Sequence, residues 1–181
     1  MKATPTALPG VLLLEPRVFG DDRGFFMESW NARTFGEATG LDVAFVQDNH
    51  SYSTRGVLRG IHYQVVRPQG KLVRVVAGAV LDVAVDLRSS SPTFRRWVAV
   101  ELSADNRRQL WIPPGFGHGF VVRSDAAVFL YKTTEFWYAE HDRSVRWSDP
   151  QLAVDWDLEE EPILAAKDAA APLLAEAEVF A

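Results

Sequence analysis

The chain has 181 residues, of which 48% are hydrophobic and 24% charged, and its formal net charge is −5. That length suits one well-buried domain over residues 1–181, and the acidic balance works against general nucleic-acid binding while leaving room for a small phosphorylated ligand held by local cations. There is no cysteine, which excludes a disulfide framework, a thiolate zinc site and a cysteine nucleophile and leaves chemistry to His, Tyr, Lys and carboxylates.

The N-terminal "MKATPTALPGVLLLEP" carries too short an apolar run for a signal peptide, and no segment approaches a membrane span. The expectation is a cytoplasmic protein with no membrane partner. From there short apolar or alternating runs follow one another: "GVLLLEP", "GFFMESW", "VAFVQDN", "GVLRGIHYQ", "KLVRVVAG", "AVLDVAVDL", "RRWVAVELS", "RQLWIPP", "HGFVVRS" and "AVFLYKTT". Rich in Val, Leu and aromatics and punctuated by Gly, Pro, Asp and Ser, they spell an all-β sandwich or barrel. In "AVLDVAVDL" the set Ala79, Leu81, Val83, Val85 and Leu87 falls on one face, expected to be core, and Asp82 and Asp86 on the other, expected to be wetter. Two segments read as peripheral helices. One is "NARTFGEATG", with Asn31 as N-cap and Gly40 beyond its end. The other is an alanine-rich C-terminal segment at about 165–177. The acidic "DLEEEPIL" between them reads as a solvated crossing.

"GVLRGIHYQ" poses a conflict. Side chains alternate faces along a strand, so Arg59 and His62, three apart, should point to opposite sides. They can share one site only if the strand slips at Gly60, where glycine tolerates the dihedrals of a bulge.

His118 follows "IPPGFG", which fits half of a cupin signature, a turn that sets a histidine at the mouth of a jelly-roll barrel. The other half, a His-x-His pair, reads "IHYQ" here, and one ligand position lacks histidine. The expectation is a cupin-type barrel without a catalytic metal, a metal-dependent oxygenase being the alternative. Gln47 and Asn49, two apart, share a strand face and could read a planar polar ring. With His62, Lys71 and Tyr131 the strands offer a base, a cation and an acid, a set suited to proton transfer beside a carbonyl.

The motifs "RVFGDDRGFFMESW", "FVQDNHS", "GVLRGIHYQ", "QGKLVRVVAG", "VLDVAVDLRSSSPTF", "LSADNRRQLWIPPGFGHGF", "FLYKTT" and "DPQLAVDW…PIL…KD" together resemble the dTDP-4-dehydrorhamnose 3,5-epimerase family over roughly residues 8–175. The resemblance implies a double-stranded β-helix (cupin-like jelly roll) that assembles as a homodimer, uses no cofactor and binds a thymidine diphosphate sugar, dTDP-4-dehydro-6-deoxy-D-glucose. It implies that His62 is the base, oriented by Asp168, that Lys71 stabilises an enolate, and that Tyr131 is the acid. It further implies that Arg23 and Arg59 hold the diphosphate, that Glu28, Gln47, Asp48, Asn49, His118 and Lys167 contact nucleotide or sugar, and that Trp137 stacks on thymine. Asp142 aligns with a contact that is often glutamate, and "YAEHDR" replaces a proline-containing loop of many relatives. The strand bearing Arg23 and Glu28 is expected to reach into the partner's site. A 3-epimerase acting on the same nucleotide sugar and a non-catalytic sugar-binding cupin stay open as alternatives.

Overall fold

The computed structural model describes residues 1–181. Thirteen strands are formed, β1 (Lys2–Pro5), β2 (Leu12–Glu15), β3 (Val18–Asp21), β4 (Gly24–Met27), β5 (Gln47–Thr54), β6 (Leu58–Gln64), β7 (Lys71–Ala77), β8 (Ala79–Asp86), β9 (Trp97–Ser103), β10 (Gln109–Ile112), β11 (Phe116–Val122), β12 (Ala126–Thr133) and β13 (Asp142–Ser144). A six-stranded sheet in the order β1-β2-β10-β7-β12-β5 faces a five-stranded sheet in the order β13-β6-β11-β8-β9, and β3 and β4 form a separate hairpin. All named pairings are antiparallel, and the molecule is all-β, as the strand pattern predicts, with the double-stranded jelly-roll form that the resemblance implies.

Three apolar clusters follow from the alternation of side chains. Between the sheets, Val73, Val75, Val80, Ala84, Leu110, Ile112, Phe120 and Phe129 pack into one core, with the Phe120 and Phe129 rings stacked at 4.3 Å. Each such buried Val, Leu, Ile or Phe side chain contributes roughly 1.5–3 kcal/mol. On the outer face of the six-stranded sheet Leu14, Leu72 and Trp111 are covered by Phe35 of α1 (Ala32–Thr39). This helix begins and ends as its sequence demands: the Asn31 side chain accepts from the Thr34 N–H, and Gly40 closes it in the left-handed region.

The outer face of the five-stranded sheet corrects two expectations. Val83, Val85 and Leu87 lie beneath Val145, Leu152, Trp156 and Leu174 of the C-terminal segment, while Val80 and Ala84 on the opposite face join the inter-sheet core. Neither face of β8 is wet, and Asp82 and Asp86 are fully buried. Their charge is met by partners: Asp82 by His118, and Asp86 by Arg88, Ser91 and Thr93. Nor is the C-terminal segment one helix. A short α2 (Ala166–Ala169) stops before Pro172, which disfavours helical dihedrals in the residue ahead of it, and a single 3₁₀ turn follows over Leu174–Glu176.

The strand carrying Arg59 and His62 breaks its alternation at the glycine. His118 of β11 pairs with His62 and Phe120 pairs with Arg59, so Gly60 and Ile61 together oppose Gly119 alone. Leu58 and Ile61, three apart, consequently both enter the outer cluster with Tyr63 and Val65, and Arg59 and His62 turn to the other face. Gly60 has φ 133°, and a Cβ there would lie 2.5 Å from the Gly119 Cα and 2.9 Å from the His118 carbonyl. No other residue type fits without prising β6 from β11.

Candidate active site

The shared face of β6 looks into a cavity of about 260 Å³ lined by Arg59, His62, Lys71, His118, Tyr131, Trp137, Asp142 and Lys167, with Ser51, Gln69, Phe120 and Phe129 between them. Eight of the sequence-selected residues therefore meet around one space.

His62 is half-buried, and its Nε2 lies 2.5 Å from Oδ1 of Asp168, whose side chain is only 3% exposed. Asp168 comes from α2, which packs behind β6, so the carboxylate reaches the ring from a segment over a hundred residues away in sequence. An ionised carboxylate at this distance accepts the Nε2 proton and fixes one tautomer. Nδ1 is left as the nitrogen able to take a proton.

Lys71, at the start of β7, is 7% exposed. Burial pulls its ammonium down to about 8, opposed by the charges of Asp142 and Asp82 and assisted by Lys167. Its only close protein partner is the His62 carbonyl at 3.4 Å, so most of its donor capacity is uncommitted. Tyr131 stands on β12, opposite in register to Asn49 on β5 and Val73 on β7. Burial raises its hydroxyl above the usual tyrosine range, Asp142 adds to this and Arg59 opposes it. At neutral pH it holds its proton, as an acid must.

His118 forms the floor, buried, with Nε2 2.9 Å from Oδ2 of Asp82 and its ring stacked on Phe129. Burial pushes its imidazole below the usual value more than Asp82 restores it. Asp82 is the residue the sequence reading left out. Among valines it resembles a solvated strand position, and only the fold shows it gripping a cavity histidine, with its other oxygen Oδ1 buried and unpaired. Each cavity histidine thus has its own aspartate, and no group of three or more His, Asp or Glu side chains is arranged to hold a metal ion.

Arg59 is steadied by Nε donating to the Ser53 hydroxyl at 3.0 Å. Asp142 and Lys167 close one wall as an ion pair. Trp137, 56% exposed, stands at the rim with its ring free to stack. Gln47 accepts the Trp137 N–H at 3.0 Å and donates to Asn49 at 2.9 Å, which leaves the buried Nδ2 of Asn49 without a protein partner.

Six of the selected residues do not line this cavity: Asp168 stands behind His62, Gln47 and Asn49 are engaged with the Trp137 backbone and each other, and the remaining three lie away from it. Asp48 lies one position out of phase with Gln47 and Asn49 and points to the outer face of its sheet, where Lys132 Nζ holds it at 2.8 Å. Arg23 lies exposed at the tip of the β3–β4 hairpin against Asp21. Glu28 follows that hairpin and accepts from Asn31 at 2.8 Å.

A jelly roll whose mouth gathers a carboxylate-held imidazole, a buried ammonium and a protonated phenol is a cupin-type barrel equipped for proton transfer at carbon. A family model described as dTDP-4-dehydrorhamnose 3,5-epimerase matches residues 5–176, and the chain belongs to that family. It is 61% identical to the dTDP-4-dehydrorhamnose 3,5-epimerase of Pseudomonas aeruginosa over 99% of both chains, and 57% identical to that of Salmonella typhimurium over 95% of this chain and 94% of the other. Among solved structures, a dTDP-6-deoxy-D-glucose-3,5-epimerase of Legionella pneumophila in complex with dTDP-4-keto-L-rhamnose superposes with a TM-score of 0.94 at 51% identity, covering 97% of this chain and 93% of that one.

Proposed function

We infer that the protein is a carbohydrate epimerase that converts dTDP-4-dehydro-6-deoxy-D-glucose to dTDP-4-dehydro-L-rhamnose by inverting C3 and C5, with no cofactor. The observation that carries this reading is the convergence of the His62–Asp168 pair, Lys71 and Tyr131 on one cavity.

The C4 ketone acidifies the hydrogens at C3 and C5. His62 removes one of them as a proton, and the C–H electron pair moves into an enolate whose charge falls on the C4 oxygen. Lys71, a cation in a water-poor pocket, opposes that charge. Tyr131 donates a proton to the same carbon from the other face, inverting it. Proton exchange of His62 and Tyr131 with solvent resets both groups before the second carbon reacts. Arg59 and Lys167 supply positive charge for the diphosphate, and Trp137 supplies a stacking surface for the base.

In deuterated water the expected product carries deuterium at both C3 and C5, read by mass spectrometry and proton NMR. Label at C3 alone would identify a 3-epimerase, and no label at either carbon would leave only a sugar-binding protein.

The same reading makes the protein a cytoplasmic homodimer that supplies a deoxysugar for cell-surface polysaccharide. Two features support a dimer. The β3–β4 hairpin exposes Phe19, Phe25 and Phe26 by 49%, 57% and 66%, an apolar surface that a lone chain would leave in water. The same hairpin carries Arg23, and Glu28 follows it, both outside their own chain's cavity, and on this reading they complete a partner's. Light scattering is expected to give twice the chain mass, and Arg23→Ala to weaken dTDP binding by about tenfold. A monomer that binds dTDP with full affinity would overturn the exchange.

A further inference from the structure

Gln64 is an anomaly on the catalytic face. It follows His62 by two positions, is 3% exposed, and touches neither Lys71 nor Tyr131 by any hydrogen bond. Its amide is spent on main chain instead: Nε2 donates to the carbonyls of Arg67 at 2.6 Å and Phe136 at 3.1 Å, and Oε1 accepts the Tyr138 N–H at 2.9 Å. Two acceptors on one side and one donor on the other admit a single orientation of the amide. The two loop contacts fall immediately before and immediately after Trp137.

The same loop is held from other directions. Gln69 donates to the Glu135 carbonyl at 3.0 Å, and Gln47 accepts the Trp137 N–H. Arg67, in the left-handed region at φ 61°, directs its carbonyl at Gln64 while its guanidinium covers the Tyr138 ring at 5.0 Å and bonds the Tyr138 hydroxyl at 2.6 Å. The backbone of residue 137 is therefore fixed on both flanks while its ring is left open. Ordering a loop before a ligand arrives removes that cost from binding.

We propose that Gln64 is a positioning residue for nucleotide recognition, holding the 135–138 loop so that Trp137 is presented as a preorganised stacking platform for the base of a nucleoside diphosphate sugar. This rests on the epimerase reading and deepens it. Gln64 acts through Trp137 and not on the reacting carbons, so its loss should weaken binding and spare chemistry.

Gln64→Met keeps the volume and strips both partners from the loop. Expected are a rise of about tenfold in the Kd for dTDP by calorimetry and in KM for the sugar nucleotide, with kcat within about twofold of the parent. The Tyr138 amide should lose hydrogen-exchange protection while the Ile61 amide, bonded to Val145, keeps it. In a Trp137→Ala background Gln64→Met should add less than about twofold to either constant. Unchanged dTDP affinity, a fall in kcat matching the rise in KM, or full additivity with Trp137→Ala would each overturn the assignment. Tyr138→Phe, on the exposed side, is the variant to use if Gln64→Met fails to fold. It removes only the hydroxyl that Arg67 grips, and a weakening of about threefold is expected; no weakening overturns the assignment too. A parent protein that binds dTDP but leaves C3 and C5 unlabelled removes the epimerase reading and not the platform, whereas one that does not bind dTDP removes both.

Discussion

His62→Ala is expected to lower kcat for deuterium incorporation at C3 and C5 by about 10³- to 10⁴-fold, the upper range for loss of a general base. The barrel should survive, because His62 is half-buried and its backbone pairing in β6 does not depend on the ring. Asp168→Ala should cost about 10²-fold, since the imidazole stays but loses the carboxylate that fixes its tautomer. Because the two act as a unit, the double variant should be no slower than His62→Ala alone. Asp168→Asn separates packing from charge, and its melting temperature should stay near that of the parent while its rate falls with Asp168→Ala. A His62→Ala protein that labels either carbon at the parent rate would remove His62 as the base.

Much of this arrangement was legible in the residues. Alternation gave the strands, Asn31 and Gly40 gave α1, and the conflict of period between Arg59 and His62 located the slip at Gly60, because a shared site required it. What stayed hidden depended on which layer covers which face. Asp82 and Asp86 alternate with valines and alanine as a half-solvated strand would, and the segment that buries the other face of β8 begins near residue 145, some sixty positions on. In the C-terminal segment alanine content favours helix, but Pro172 and the burial of Ala171 and Leu174 settle the matter against a continuous one. Gln64 was visible only as a missing histidine. Its role as a brace depends on three backbone groups in two loops, which no local pattern records. Asp48 enters through the resemblance, and the period of two sends it to the face opposite Gln47 and Asn49.

Raising the pH through about 8 should switch the enzyme off from the lysine side. In the free protein burial holds Lys71 near 8, far below its ordinary 10.5, so kcat/KM should fall with a limb near that value as the ammonium that opposes the enolate is lost. Substrate brings a diphosphate and a developing oxyanion into the same cavity, which favour the charged lysine, so the limb in kcat should lie at higher pH. Lys71→Met should reduce kcat by about 10²- to 10³-fold, as removal of an oxyanion donor does, and the limb near 8 should vanish from what activity remains. Stability moves the opposite way. Below pH 8 the lysine is charged in both states, and the folded protein bears the whole cost of burying it. Between about 8 and 10.5 the unfolded chain binds a proton that the folded one has released, so stability rises with pH by roughly 3 kcal/mol from this group. Denaturation midpoints that rise across this interval while kcat/KM falls, with both slopes reduced in Lys71→Met, are the expected signature. A parent kcat/KM that stays level to pH 10 would show that a neutral Lys71 suffices and that the enolate charge is met elsewhere.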